Sequence, residues 1–189
     1  MFMIYLSKGI LPWPPPDDSV SVSHCGALHK LTGILAEIWR AGQYNPHNTI
    51  DAEQEASLKL LAGLGIVECC DDTDETAVFR LLTNCVICPV RVKSKPAILN
   101  YMERRALRWI RRAGLRLTIA ELTLLNERGI KPGAAFLGEA NRQALTETIY
   151  ATDTIFDGIL ETLMERSPAR DGTVRAVLGL LRKKKIYLV

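Results

Sequence analysis

The sequence predicts a mainly α-helical protein with short β ribbons, organised as two units. Apolar residues recur every three or four positions in several segments, which is typical of helices with one buried face. Capping patterns precede some of these segments, and short apolar runs beside polar turns indicate strands. The apolar share of 48% is sufficient for a core. The units are predicted at residues 1–90 and 91–189, joined near residues 84–96.

The first unit begins with a predicted buried strand at residues 2–6, followed by the proline-rich segment LPWPPP at residues 11–16. Because proline fixes extended backbone geometry, this segment is interpreted as a rigid connector or as a ligand for an aromatic groove. The spacing of apolar residues predicts a helix over residues 26–41. Asp51 is expected to cap a second helix, with Gln54 as its reciprocal partner.

The next segment is predicted to be a β ribbon, with strands at residues 66–70 and 77–83 joined by a polar turn. Two helices, a glycine stop and a strand–turn–strand ribbon follow the element order of a winged helix. The phrase LKLLAGLGIVECCDDTDETAVFRLL resembles the recognition helix and wing of that superfamily. The resemblance covers about residues 26–83 and implies a winged-helix-like unit. Residues 41–51, where the middle helix of the family would lie, form a poor helix pattern.

In the second unit, residues 97–113 carry the strongest helix pattern. Thr118 and Glu121 form a predicted capping box for the helix that follows. One side of the 97–113 helix is apolar and is expected to face the core; its members are Met102, Ala106, Trp109, Ile110 and Ala113.

Helical periodicity returns over residues 138–166, with a break near Thr152 and Asp153. Asp171 is expected to cap a last helix at residues 172–184, before a terminal strand at residues 186–189. The phrase ILETLMERSPARDGTVRAVLGLLRKKKIYLV is similar to a winged-helix core, in which the helix after the turn enters a groove. The family's returning strand is missing here, so residues 2–6 are a candidate to pair with the terminal strand.

The two halves of the chain carry opposite charge. Residues 1–90 contain 5 Lys and Arg against 11 Asp and Glu, a net charge of −6, whereas residues 91–189 contain 19 against 10, a net charge of +9. Such asymmetry bears on partners rather than on fold. The basic half is expected to contact phosphate or carboxylate, from nucleic acid, from another protein or from the acidic half of the chain.

The basic charge is concentrated on one side of the 97–113 helix and just beyond it. Like charges at this spacing repel each other unless an anionic partner balances them. The anionic partner could be phosphate, an acidic protein surface or a membrane surface. The opposite face of the helix disfavours the membrane, because its apolar residues are expected in the core. The arginines concerned are Arg104, Arg105, Arg108, Arg111, Arg112 and Arg116.

The last predicted helix offers a second set of cations. Arg175, Arg182 and Lys183 are expected on the side opposite the core and are candidates for contacts with DNA, because arginine binds phosphate and the edge of guanine. Gly179 on the same side would allow close approach of a partner. The alternative is a solvated basic face whose cations interact favourably with the helix C-terminus.

The predicted ribbon turn argues against DNA binding by the first unit. Phosphate would repel the four carboxylates of this turn, which belong to Asp71, Asp72, Asp74 and Glu75. The first unit is therefore interpreted as a protein-binding or dimerising module. The alternative is that the acidic turn only contributes to solubility. The five cysteines include a C-x-x-C at Cys85 and Cys88. Together with Cys25 and His29 these residues could form a metal site, although buried unreactive thiols are the simpler interpretation.

The sequence lacks a Walker loop, a dinucleotide-binding glycine motif after a strand and a G-x-S-x-G elbow, so no enzymatic activity and no cofactor are predicted. No apolar run is long enough to cross a bilayer, and a cytoplasmic protein is expected. The predicted function is a cytoplasmic DNA-binding protein, as a transcriptional regulator, acting through the basic C-terminal half, with homodimerisation as an option. The alternative is a non-enzymatic adaptor or assembly subunit that binds an acidic protein partner.

Overall fold

The computed structural model describes residues 3–11, 19–49, 51–71, 74–90, 96–112, 117–133, 143, 145–147, 149–150 and 159–189, with the side chain of Arg112 excepted. About 50% of these residues are helical and 19% are in strands. The chain divides into two compact units. Unit 1 comprises Met1–Cys85 and Tyr187–Val189, and unit 2 comprises Val86–Ile186. The proline-rich segment from Pro12 onward and the predicted helix break near Thr152 lie outside the described residues.

Unit 1 contains a three-stranded antiparallel sheet and a separate hairpin. Strand β1 (Ile4–Ser7) lies between β4 (His47–Asn48) and β5 (Val67–Cys70). The hairpin joins β2 (Val20–His24) to β3 (Ala27–Leu31), with Val22 opposite His29.

Three helices complete unit 1: α1 (Gly33–Gly42), α2 (Ala52–Gly63) and α3 (Ala77–Thr83). Trp39 of α1 is fully buried, and its indole nitrogen donates to the Lys8 carbonyl at 3.0 Å. The helix predicted after Asp51 is confirmed, since the Asp51 carboxylate accepts a hydrogen bond from the Gln54 backbone at 2.8 Å.

The predicted ribbon is not formed, because residues 77–83 are the helix α3 and not a strand. Asp74 accepts hydrogen bonds from the Thr76 backbone and hydroxyl at 2.8 and 2.7 Å, and this local turn starts the helix. Strand β5 pairs with β1 instead. The predicted fold class, mainly α with short ribbons in two winged-helix-like units, is therefore wrong, and the described residues form a mixed α and β structure.

The first helix also begins later than predicted. Residues 26–31 belong to the hairpin, because Cys25 and Gly26 adopt positive φ angles of 48° and 85° and reverse the chain in two residues. Such a two-residue turn matches the natural twist of antiparallel strands. Leu28 and Leu31 therefore lie on opposite faces of β3, with Leu28 67% exposed and Leu31 buried.

Unit 2 is built around four described helices: α4 (Tyr101–Arg112), α5 (Ile119–Glu127), α6 (Ile159–Glu165) and α7 (Arg170–Arg182). Helix α7 packs against both α4 and α5. The capping box at the start of α5 is confirmed, since the Thr118 backbone donates to the Glu121 carboxylate at 2.7 Å and the Glu121 backbone donates to the Thr118 hydroxyl at 3.3 Å.

Strand β6 (Ile87–Pro89) pairs with β7 (Ile186–Leu188). The predicted terminal strand is thus confirmed, but β1 has β4 and β5 as its sheet neighbours. Within unit 1, the Gly9 backbone donates to the Leu188 carbonyl at 2.7 Å.

The last helix starts two residues earlier than predicted. Ala169 occupies the N-cap position without a side-chain hydrogen bond, so the prediction that Asp171 caps this helix is wrong. Asp171 lies in the first turn and pairs with Arg170 at 2.7 Å. No helix among the described residues has the length and apolar character needed to cross a bilayer.

The hairpin turn gives a testable prediction. Because a left-handed conformation costs an ordinary residue about 1–2 kcal/mol and costs asparagine less, Cys25→Asn should raise the free energy of unfolding by about 1 kcal/mol. Cys25→Val should lower it, since a β-branched side chain disfavours positive φ. Urea denaturation of both variants measures this, and equal stability of the two variants would contradict the turn conformation.

Candidate nucleic-acid interface

Helix α4 separates an apolar face from a cationic face, as the sequence predicts. Ala106, Trp109 and Ile110 are each about 1% exposed, whereas Arg104, Arg108 and Arg111 are exposed. At about 100° per residue, these three arginines fall within an arc of about 60°. We call Arg104, Arg108 and Arg111 the arginine face.

No carboxylate of the described residues forms an ion pair with the arginine face. Successive members are separated by four and by three positions, so their side chains are neighbours on the helix surface. Their mutual repulsion is therefore not balanced by the described part of the chain. The side chain of Arg112 and the whole of Arg116, which the sequence placed in the same stripe, lie outside the described residues.

Arg105 has a different role from its neighbours. Its guanidinium donates to the backbone carbonyls of Leu125 and Ile130 at 3.2 and 2.8 Å. These carbonyls lie at and just beyond the C-terminal end of α5, where backbone acceptors lack helical partners. Arg105 therefore joins α4 to the end of α5.

A buried carboxylate on α4 fixes this helix to α7. Glu103 is 3% exposed, and both of its carboxylate oxygens accept hydrogen bonds from the Lys183 ammonium group, at 2.7 and 2.6 Å. One of these oxygens also accepts from the Asn100 backbone at 2.8 Å, and the Asn100 side chain accepts from the Glu103 backbone at 2.8 Å. The reciprocal bonds between Asn100 and Glu103 form a capping box for α4.

The ionisation of Glu103 follows from these contacts. Burial alone would raise the pKa of Glu103, but hydrogen bonds from Lys183 and Asn100 and the charges of Lys183 and Arg182 hold that pKa below its usual value of 4.5. The carboxylate is therefore charged at neutral pH and attracts Lys183 and Arg182 at the C-terminal end of α7.

The cations predicted on the last helix have different surroundings. Arg175 and Arg182 are exposed. Arg175 lies near Asp171, whose pKa is lowered by the hydrogen bond from Arg170 and also by the charges of Arg170 and Arg175. The Lys183 ammonium group is engaged by Glu103, and its side chain is 33% exposed.

Gly179 does not face outward as the sequence suggested. It is buried, and a methyl group at this position would come within 3.1 Å of the Glu103 carboxyl carbon. Because Gly179 has no side chain, the Glu103 carboxylate of α4 can pack directly against the backbone of α7 at this position.

Sequence reasoning missed Glu103 and Asn100. Their spacing, Asn-x-x-Glu at the start of an amphipathic helix, is that of a capping box and could have placed the helix start. The ion pair with Lys183 joins residues 80 positions apart and has no local signature.

The predicted acidic turn and most of the cysteines of the metal hypothesis lie in unit 1. Asp71, Asp74 and Glu75 are exposed, and Asp74 pairs with Arg80 at 3.4 Å, while Asp72 lies outside the described residues. The Cys85 thiol donates to the Leu81 carbonyl at 3.3 Å, and burial raises its pKa to about 12.

Of the cysteines in the metal hypothesis, Cys85 and Cys88 are buried and Cys25 is exposed. Over the ranges that the structure describes, no group of three or more histidine, cysteine, aspartate or glutamate side chains is arranged to hold a metal ion.

No protein-family model, no curated protein and no solved structure matches this chain.

The Glu103 pair predicts a pH dependence of stability. Because the folded-state pKa is lowered, the contribution of Glu103 is complete above about pH 4.5 and is lost as the pH falls through the folded-state value. Glu103→Gln should lower the free energy of unfolding by about 2 kcal/mol at pH 7, and the difference from the wild type should shrink in acid. Chemical denaturation from pH 7 to pH 3 measures both. Glu53→Gln on α2 is the control, and a difference that does not change with pH would contradict the role of Glu103.

The space at Gly179 gives a second prediction. Gly179→Ala should displace the Glu103 carboxylate and lower the free energy of unfolding by about 1–3 kcal/mol. Gly63→Ala is the matched control, because no atom lies within 4 Å of a methyl group there. That change should raise stability by up to about 1 kcal/mol through helix propensity. Thermal and urea denaturation measure both, and a stabilised Gly179→Ala variant would show that the contact is not tight.

Proposed function

We propose that this protein binds DNA through unit 2, with the arginine face as the contact to the phosphate backbone. The observation that carries the proposal is the set of three exposed guanidinium groups on one side of α4, without a carboxylate partner among the described residues. Arginine forks bind phosphate oxygens with two hydrogen bonds, so phosphate is a suitable partner for this surface.

The spacing of the arginine face suits a nucleic-acid strand. A helix rises about 1.5 Å per residue, so Arg104 and Arg111 are about 10 Å apart along the α4 axis. A DNA strand advances about 3.4 Å per phosphate along its own axis. The arginine face therefore spans about three phosphate steps, so its three guanidinium groups can each meet a different phosphate within a run of about four.

The supports of α4 favour a preorganised site. Trp109 and Ile110 anchor the opposite side of the helix in the core, and the Glu103–Lys183 pair sets its rotation against α7. A surface presented from a fixed helix loses little conformational entropy when it binds. Arg175 and Arg182 are further exposed cations on α7, and an arginine there could also reach a guanine edge.

The biological role that we propose is that of a non-enzymatic, cytoplasmic transcriptional regulator. The support is the charge of the basic half, a net +9 over residues 91–189, and the absence of enzyme motifs from the sequence. Phosphate contacts position such a protein, and contacts with bases then give it specificity.

A second candidate function is a protein adaptor or assembly subunit, and unit 1 carries the observation that favours it. Leu28, Leu60 and Leu64 are 67%, 64% and 49% exposed. Leu60 and Leu64 lie one turn apart near the end of α2, and the adjacent Gly65 approaches His24 at the hairpin end. Exposed apolar residues of this kind in an acidic unit are suited to a protein partner or a second copy of the chain.

A salt series tests the DNA-binding proposal. If three to five phosphates are neutralised, affinity for a random duplex should fall by about 40-fold to 500-fold between 50 and 200 mM salt. Arg108→Glu with Arg111→Glu should abolish binding at 100 mM salt and reduce the salt dependence, while the circular dichroism spectrum and melting temperature stay unchanged. Fluorescence anisotropy with a labelled duplex measures the affinity.

The control for charge is Lys30→Glu, a reversal at an exposed lysine of the hairpin in unit 1. Lys30→Glu should leave the duplex affinity within about twofold of the wild type. The comparison variant is Arg108→Glu alone, which changes the net charge by the same amount and should lower the duplex affinity by more. Absence of binding by the wild type to both a duplex and a single strand at 50 mM salt would overturn the proposal and leave the adaptor function. Equal losses in the Lys30 and Arg108 variants would show that only net charge matters.

A further inference from the structure

An exposed tyrosine precedes the arginine face on the same side of α4. Tyr101 is the first residue of the helix and is 62% exposed. It lies three positions before Arg104, and Tyr101, Arg104, Arg108 and Arg111 fall within an arc of about 80°. The cationic surface therefore begins with an aromatic ring.

Tyr101 has no structural role in the described part of the molecule. The core side of α4 is filled by Ala106, Trp109 and Ile110, which lie on other faces of the helix. The Tyr101 side chain forms no hydrogen bond or ring contact with the described residues. Its ring is accessible for contact with a ligand.

The position of Tyr101 is nevertheless fixed. It lies between Asn100 and Glu103, whose reciprocal hydrogen bonds of 2.8 Å close the first turn of α4. Glu103 is held in turn by Lys183 of the α7 C-terminus. The backbone that carries the ring is therefore rigid, as a stacking platform requires.

We infer that α4 binds single-stranded nucleic acid, with an unpaired base stacked on the Tyr101 ring and the arginine face on the adjoining phosphates. This inference rests on the proposed function and specifies its ligand. Bases within a duplex are already stacked on one another, so a protein ring on a helix surface gains a stacking partner only where a base is unpaired. An aromatic platform beside a cationic track is the usual arrangement for binding single strands without sequence preference.

The neighbouring residues favour a base over a protein side chain as the occupant of this ring. Three arginines follow Tyr101 on its face, and no described carboxylate pairs with them, so an anionic ligand that also carries a flat ring satisfies both features at once. A nucleotide has this combination of a planar base and a phosphate. Ile98, just before the helix, is 93% exposed but has no π face, so it cannot serve as a stacking platform.

The test compares tyrosine variants on single-stranded and duplex oligonucleotides. Tyr101→Ala should weaken binding to an oligothymidine strand by about 5-fold to 150-fold, the range for loss of one stacked base. Tyr101→Phe and Tyr101→Trp should retain the affinity, because both keep an aromatic ring. Binding to a blunt duplex should change by no more than about twofold in all three variants.

Ile98→Ala is the matched control, since it removes a nearby side chain that is even more exposed than Tyr101 and cannot stack. It should leave oligothymidine affinity within about twofold of the wild type, and melting temperatures should show that every variant is folded. Parallel titrations with oligothymidine and oligouridine distinguish DNA from RNA as the source of the base.

The outcomes separate this inference from the function on which it rests. Unchanged oligothymidine affinity in Tyr101→Ala, or an equal loss on single strand and duplex, overturns the stacking role, while the Arg108 and Arg111 variants still report on phosphate binding. Absence of binding to both oligonucleotides at 50 mM salt overturns both. A loss in Tyr101→Phe equal to that in Tyr101→Ala would indicate that the hydroxyl, and not the ring, makes the contact, and would also refute stacking.

Discussion

The buried Glu103 carboxylate is the constraint on which the organisation of α4 depends. A charge removed from water is tolerated only when hydrogen bonds and an opposite charge replace its hydration. Lys183 supplies the charge, Asn100 supplies a backbone donor, and Gly179 leaves the space. Because the carboxylate has one satisfactory position, the rotation of α4 about its axis is set. That rotation directs Trp109 and Ile110 inward and the arginine face outward.

The five arginines of α4 show how position on one helix divides identical side chains between structural and surface roles. Arg105 lies far enough round the helix to donate to the Leu125 and Ile130 carbonyls at the end of α5, and the Leu125 carbonyl also accepts from the Ile130 backbone. Arg104, Arg108 and Arg111 meet no such acceptors and repel each other by about 0.2–0.5 kcal/mol per neighbouring pair. This repulsion is small beside the burial of the opposite face, so the core can sustain a surface that local electrostatics disfavour.

Some features determined by neighbouring residues were predicted correctly from the sequence, whereas features determined by distant residues were not. The caps at Asp51 and Thr118 and the division of α4 into two faces depend on residues within one or two turns. The predicted ribbon failed because the partner of β5 is β1, about sixty positions away, and because Asp74 starts a helix where a strand was expected. At the site, exposure of the arginine face followed from periodicity, whereas the inward roles of Lys183 and Gly179 depend on Glu103 on another helix.

The same division of roles limits how tightly the surface can bind by charge alone. Lys183 and Arg105 are engaged within unit 2, so the described cations available on α4 and α7 reduce to the arginine face with Arg175 and Arg182. If the proposed binding to nucleic acid holds, about five phosphate contacts would give only modest affinity at physiological salt, because the free energy gained by releasing counterions falls as the salt concentration rises. Tighter binding would need a further contribution to the binding free energy from a contact that does not depend on salt. A rigidly placed aromatic ring at the start of the same face, such as Tyr101, is a group of the required kind.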